Sequence, residues 1–165
     1  MRVIKLFIAS FFLISCNNEI SQKNIEVKII MEVKVRKDDK FQLFYSNSFF
    51  ESYNEKQSSI VKVIGRDDFQ EVELKIMKGF IPKRIRIDLG DNQQQSPIII
   101  NKITITNNNI SKIYEGSEIL EMFEFNEYIV YDNQNHSATL LKNEKNYDPY
   151  LISKNLDSVF QEILN

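Results

Sequence analysis

From Glu26 to Arg36 apolar and polar side chains alternate. Val27, Ile29, Met31, Val33 and Val35 share one parity, and Glu26, Lys28, Glu32, Lys34 and Arg36 share the other, with Ile30 the exception. Successive side chains of a β-strand point to opposite faces, so this is the pattern of a half-buried strand. The same period returns three times. Phe41, Leu43 and Tyr45 share a face in residues 40–46; Val72, Leu74 and Ile76 oppose Glu71, Glu73 and Lys75; and Ile85, Ile87 and Leu89 oppose Arg84, Arg86 and Asp88. The polar KDDK between the first two segments predicts a hairpin joining them. Residues 46–58 read as a loop carrying three aromatics. SIVKVIG (59–65) is a short β-branched strand, and PIIINKITIT (97–106) is a long one with a bulge expected near Asn101. NEYIVYD and HSATLLK flank the polar turn DNQNH as a late hairpin. Residues 117–125 are ambiguous: Ser117 could cap a short helix, but the apolar spacing is not clean. Near the end, Ile152, Leu156, Val159, Phe160, Ile163 and Leu164 recur at helical spacing, predicting an amphipathic helix that starts near Ser153 and docks on the same domain. At least seven short strands separated by polar turns predict a mainly β fold, an antiparallel β-sandwich with a C-terminal amphipathic α-helix.

The first twenty residues follow a different rule. Arg2 and Lys5 precede an almost wholly apolar run from Leu6 to Ile14, and after Cys16 the chain turns polar at once with Asn17, Asn18 and Glu19. The run is too short for a membrane-spanning helix, which needs roughly 20 apolar residues, and has the layout of an export signal. Leu13-Ile14-Ser15-Cys16 resembles the lipobox of bacterial lipoprotein signal peptides: an aliphatic residue, a tolerant position, a small residue and then cysteine. The resemblance implies removal of residues 1–15 and attachment of acyl chains such as palmitate at Cys16, a membrane anchor, with residues 16–24 as a lipidated tether. Asn17, where an aspartate would favour the inner membrane, is similar to the outer-membrane pattern. The implied location is the cell envelope, with the side of the membrane left open.

Composition narrows the functions further. The chain has 165 residues, 42% of them apolar, which suits one globular domain with a real core. Its net charge is −2, and because Arg2 and Lys5 lie in residues 1–15 the remainder carries −4; without a basic run it offers nucleic acid no electrostatic footprint. A single cysteine permits no internal disulfide, and with His136 the only histidine no cysteine- or histidine-based metal cluster can form. No nucleophile elbow, phosphate loop or zinc-protease motif occurs. His136 itself falls in a predicted turn and is expected to be solvent-exposed. Asp88, Asp91 and Asn92 place hard oxygens near one turn but lack the spacing of a calcium loop, so neither metal nor cofactor is expected.

The aromatic residues stand out instead. Phe44 lies on the strand face opposite Phe41 and Leu43, and Phe49, Phe50 and Tyr53 follow in the adjoining loop. Exposed rings stack on the C–H faces of sugars, while groups such as Arg84, Arg86 and Asp88 can bond hydroxyls. The order FQLFYSNSFFESYNEKQSSI, FQEVELKI, IPKRIRIDLGDNQQQSPIIINKITI resembles a β-sandwich domain found beside bacterial cell-surface glycan enzymes, similar to carbohydrate-binding modules and the galactose-binding-like jelly roll. The resemblance covers residues 25–107 and implies a jelly-roll-like core. Residues 108–165 lie outside it and would add the late hairpin and the helix to the same domain.

Taken together, these features predict a lipid-anchored, non-catalytic envelope protein that binds a glycan or assists envelope assembly. The alternative is a structural or protein-interaction lipoprotein subunit of an envelope complex with no glycan ligand. The anchor is directly testable: Cys16→Ser should leave an unprocessed precursor and abolish incorporation of labelled fatty acid, and unchanged labelling would refute it.

Overall fold

The computed structural model describes residues 25–50, 52–142 and 147–164. The signal segment 1–15, Cys16 and the rest of the tether to residue 24 lie outside the described residues. The described chain forms two antiparallel sheets and two short helices. The first sheet has the order β4-β1-β6-β10-β9, with β7 also pairing β6; its strands are β1 (Val27–Lys34), β4 (Gln70–Lys75), β6 (Ile98–Asn107), β7 (Ile110–Glu115), β9 (Ile129–Asp132) and β10 (Ser137–Leu140). The second sheet has the order β3-β2-β5-β11-β8, built from β2 (Asp39–Ser46), β3 (Ser58–Val63), β5 (Arg84–Asp88), β8 (Phe123–Phe125) and β11 (Tyr150–Ser153). The helices are α1 (Glu118–Met122) and α2 (Asp157–Ile163). No helix among the described residues is long and apolar enough to cross a membrane.

Alternation decides which residues meet between the sheets. Val27, Ile29, Met31 and Val33 of β1 are buried, as are Phe41, Leu43 and Tyr45 of β2, Val72 and Leu74 of β4, and Ile85 and Ile87 of β5. Most of their neighbours along each strand are polar or charged and face outward, with Ile30 and Phe44 the apolar exceptions, so the arrangement is sandwich-like, with an apolar layer between two mainly polar faces. The long strand β6 carries the expected bulge. Glu32 stands opposite Lys102 but Val33 opposite Ile100, leaving Asn101 as the extra residue. The bulge turns Asn101 and Lys102 to the same outer side, where both bond Glu32, at 2.7 and 2.8 Å, and hold its carboxyl below the usual range.

Three sequence expectations are overturned. β1 and β2 are not hairpin partners: β1 pairs with β4 and β6, and β2 with β3 and β5. KDDK turns a corner between sheets rather than folding the chain back. The Asp39 carboxylate accepts the backbone N–H groups of Lys40, Asp91 and Asn92 and the side-chain amide of Gln95, tying the corner to the β5–β6 loop. The expected C-terminal helix also begins later. Tyr150–Ser153 is a strand between β5 and β8, and the Ser153 hydroxyl, buried, accepts the Ile85 N–H at 2.9 Å. Ile152 lies on that strand, so its helical spacing to Leu156 is coincidental. Leu156, Val159, Phe160 and Ile163 are buried as expected. Finally, His136 is half-buried, not exposed; it adopts a left-handed φ of 53°, and its carbonyl accepts the Ile100 N–H. The ambiguous stretch resolves as one helical turn, α1, running into β8, with no capping bond from the Ser117 side chain.

The corner at Asp39 also constrains Gly90, whose φ is +108° and where an added Cβ would land on the Asp39 carboxylate. Gly90→Ala is therefore expected to destabilise the fold by about 1–3 kcal/mol, read as a lower denaturant midpoint at unchanged slope.

Candidate functional site

β2 and β5 are neighbours, with Gln42 opposite Asp88, Phe44 opposite Arg86 and Ser46 opposite Arg84. Because parity sends Phe41, Leu43, Ile85 and Ile87 inward, Gln42, Phe44, Arg84, Arg86 and Asp88 are all placed on the outer face of the second sheet. The loop after β2 turns back over this face. Asn54 caps a single 3-10 turn, Glu55–Gln57, by accepting the Lys56 N–H, and this turn returns the chain into β3. Tyr53 is thereby set against Phe44, with ring centroids 6.2 Å apart.

The result is a row in which rings and guanidinium groups are interleaved. Arg84 lies 5.9 Å from the Phe49 ring centroid and 5.0 Å from that of Tyr53, and Arg86 lies 5.6 Å from Phe44 and 3.9 Å from Tyr150. Each such contact places a cation over the negative face of a ring. Arg86 is held further by a two-pronged bond to Asp88, at 2.6 and 2.9 Å, and by Asp148. Burial is the largest influence on Asp88 and pushes its carboxyl up, against the pull of Arg86; the neighbouring carboxylates Asp148 and Glu55 add to the rise. Burial acts most strongly on Arg86 and works to lower it, but the bond and charge of Asp88 together with Asp148 and Tyr150 hold it above its ordinary value. Burial also pushes the Tyr53 hydroxyl up to about 12, against the pull of Arg84 and Arg86. Beside the row, the Gln42 amide donates to Glu55 at 2.8 Å and to Ser58 at 3.2 Å.

No protein-family model, curated protein or solved structure matches the chain.

Of the residues singled out in the sequence, Phe44, Phe49, Tyr53, Arg84, Arg86 and Asp88 are brought together, and their roles separate. Arg86 and Asp88 satisfy one another and form the floor of the face. Phe49, Tyr53 and Arg84 form its rim. Phe50 stands apart: it is 99% exposed and in none of the ring contacts of this row. Cys16 falls outside the described residues. The oxygens near the β5–β6 turn do not converge, since Asp88 bonds Arg86, Asp91 pairs with Lys40 and the Asn92 amide donates to the Asp38 carbonyl. Sequence reading missed Gln42, Glu55, Asp148 and Tyr150. Tyr150 was hidden because its strand was read as the approach to a helix. Asp148 sits in a loop, where no periodicity points to it.

The Arg86 cluster can be tested by removing the cation. Arg86→Ala leaves Asp88 and Asp148 facing each other without it and should cost about 2 kcal/mol, less than the 3–5 kcal/mol of a fully buried pair because the cluster reaches solvent. Adding Asp88→Asn should recover part of that loss in the same urea titration.

Proposed function

We propose that this is a non-catalytic, lipid-anchored protein of the bacterial cell envelope, whose jelly-roll-like sandwich binds a glycan on the outer face of its second sheet. The observation that carries the reading is the row Phe49–Arg84–Tyr53–Phe44–Arg86–Tyr150. Sugars are recognised by planar groups that cover their C–H faces together with fixed donors and acceptors for their hydroxyls. Here the planar groups are held in place by the two arginines, which lowers the ordering cost of binding. Gln42, Glu55 and Asp148 supply both kinds of hydrogen-bonding group beside them. The anchor rests on the lipobox resemblance at Cys16. The tether would keep the module at a membrane and leave its sheet face free to meet a polymer.

One observation favours the second reading, a protein-interaction subunit. β3 is an edge strand of the second sheet, and Ile60 on it and Ile64 just beyond are exposed beside a cleft of about 400 Å³ that Asp38, Asp39, Lys62 and Asp91 help to line. An open edge with apolar side chains is a template for a strand from another chain. The helix α2 does not serve this reading, because its apolar residues are buried within the fold.

A glycan array probed with the detergent-purified protein separates the two readings. Binding is expected, with Tyr53→Ala and Arg84→Ala each lowering affinity by about tenfold, the loss of one well-placed contact. No glycan bound at millimolar concentration would overturn the first reading.

A further inference from the structure

Phe50 is left unexplained by the binding face, and it is not alone at its end of the sandwich. β2 delivers the chain into the 47–53 loop at the same end where β4 passes into residues 76–83. The two loops are joined: the Met77 N–H donates to the Tyr45 hydroxyl at 3.3 Å, the Lys83 N–H donates to the Ser46 carbonyl at 2.8 Å, and the Tyr45 and Phe80 rings meet edge-on at 5.0 Å. Two apolar side chains project from this base into solvent, Phe50 at 99% and Met77 at 57% exposure. The Phe50 backbone is held by a bond from its N–H to the Ser48 hydroxyl, which itself follows the Ser46 turn. An aromatic ring presented this openly on a bonded turn is costly in water and gains from an apolar medium.

Charge and chain direction point the same way. Lys78 and Lys83 follow Met77 on the same loop, are exposed, and are in no ion pair among the described residues. Among the described residues, Glu26 near this end lies 3.9 Å from Lys28. The chain also joins the fold here, since the Ile25 carbonyl accepts the Gly79 N–H at 2.9 Å. Cys16 lies nine residues before Ile25, so the intervening chain can span at most about 30 Å. An anchor at Cys16 would therefore enter the fold at this end, which its tether joins first.

We infer that this end is a membrane-docking surface, in which Phe50 and Met77 enter the boundary between headgroups and acyl chains while Lys78 and Lys83 meet anionic headgroups. The inference rests on the lipid-anchored reading and adds an orientation to it. Large apolar side chains set beside lysines are a recognised mode of interfacial attachment, and a second contact makes a lipid tether more durable. With the base of the sandwich on the lipid, the strands stand away from the surface and the outer face of the second sheet is turned to the side.

The chain contains no tryptophan, so a single introduced indole reports its own surroundings. Phe50→Trp, Met77→Trp and, at the far end, Ile64→Trp should be made in the acylated full-length protein. Each is reconstituted on vesicles of phosphatidylethanolamine and phosphatidylglycerol containing brominated lipid. Phe50→Trp and Met77→Trp are expected to lose about half of their emission, as for an indole at the acyl boundary, and Ile64→Trp almost none. Replacing phosphatidylglycerol by phosphatidylcholine should weaken the quenching. Vesicle flotation with unquenched indoles at both 50 and 77 would overturn the docking surface while leaving the anchor intact. Failure to float would overturn both. Equal quenching at position 64 would overturn the orientation. Both test positions are solvent-exposed, so the variants should fold.

Discussion

Two apolar rows facing each other across the sandwich are the constraint on which everything else depends. Ile29, Met31, Ile100 and Ile103 from the first sheet, and Phe41, Leu43, Ile85 and Ile87 from the second, are fully buried. At roughly 1.5–3 kcal/mol for each such side chain, no other interaction in the molecule approaches their sum. Burial of this kind has no direction, however, and tolerates many registers. What makes the arrangement unique is a small set of polar groups at the ends of strands. Asp39 gathers donors from the β5–β6 loop, Ser153 accepts the Ile85 N–H, and Asn101 absorbs the extra residue of β6. Displacing Asp39 or Ser153 by one residue would leave backbone N–H groups without a partner, and displacing Asn101 would break its bond to Glu32.

That division explains how far the sequence could be read. The strands themselves were legible, because period-two alternation is a local property and the inward residues of β1, β2, β4 and β5 all follow it. The Asn101 bulge was legible because a polar residue interrupts an isoleucine-rich run. The connections were not. Whether KDDK folds the chain back or sends it to the other sheet depends on Asp91, Asn92 and Gln95, which lie in a distant loop. Ile152 illustrates the opposite error: a side chain on the outer face of a strand can fall by chance on the helical spacing of the segment that follows.

The candidate face shows the same split between local and non-local information. Phe44, Arg84, Arg86 and Asp88 could be placed on a solvent-side face from parity alone. The stacking of Arg86 between Phe44 and Tyr150 could not, because β11 reaches β5 only once the sheet is complete. Physical chemistry also reassigns the partners. Rings read from the sequence as separate stacking surfaces are interleaved with guanidinium groups, and Arg86 is so fully bonded that it acts as scaffold. Phe50, outside the row, is the most exposed ring of the set.

The order of pairing has a kinetic consequence. β1 is completed by residues as far along the chain as Asn107, and β5 waits for Leu151 and Ile152 of β11. Seven of the ten steps from one strand to the next change sheet, so only three pairs of successive strands are hydrogen-bonded neighbours and most closures span long stretches of chain. Long-range pairing of this kind is slow, because loop closure must precede any gain from contact. A polypeptide wired in this way stays threadable until almost all of it has emerged. Strand β8 joins the second sheet only through β11, so that sheet cannot close until nearly the whole chain is in place.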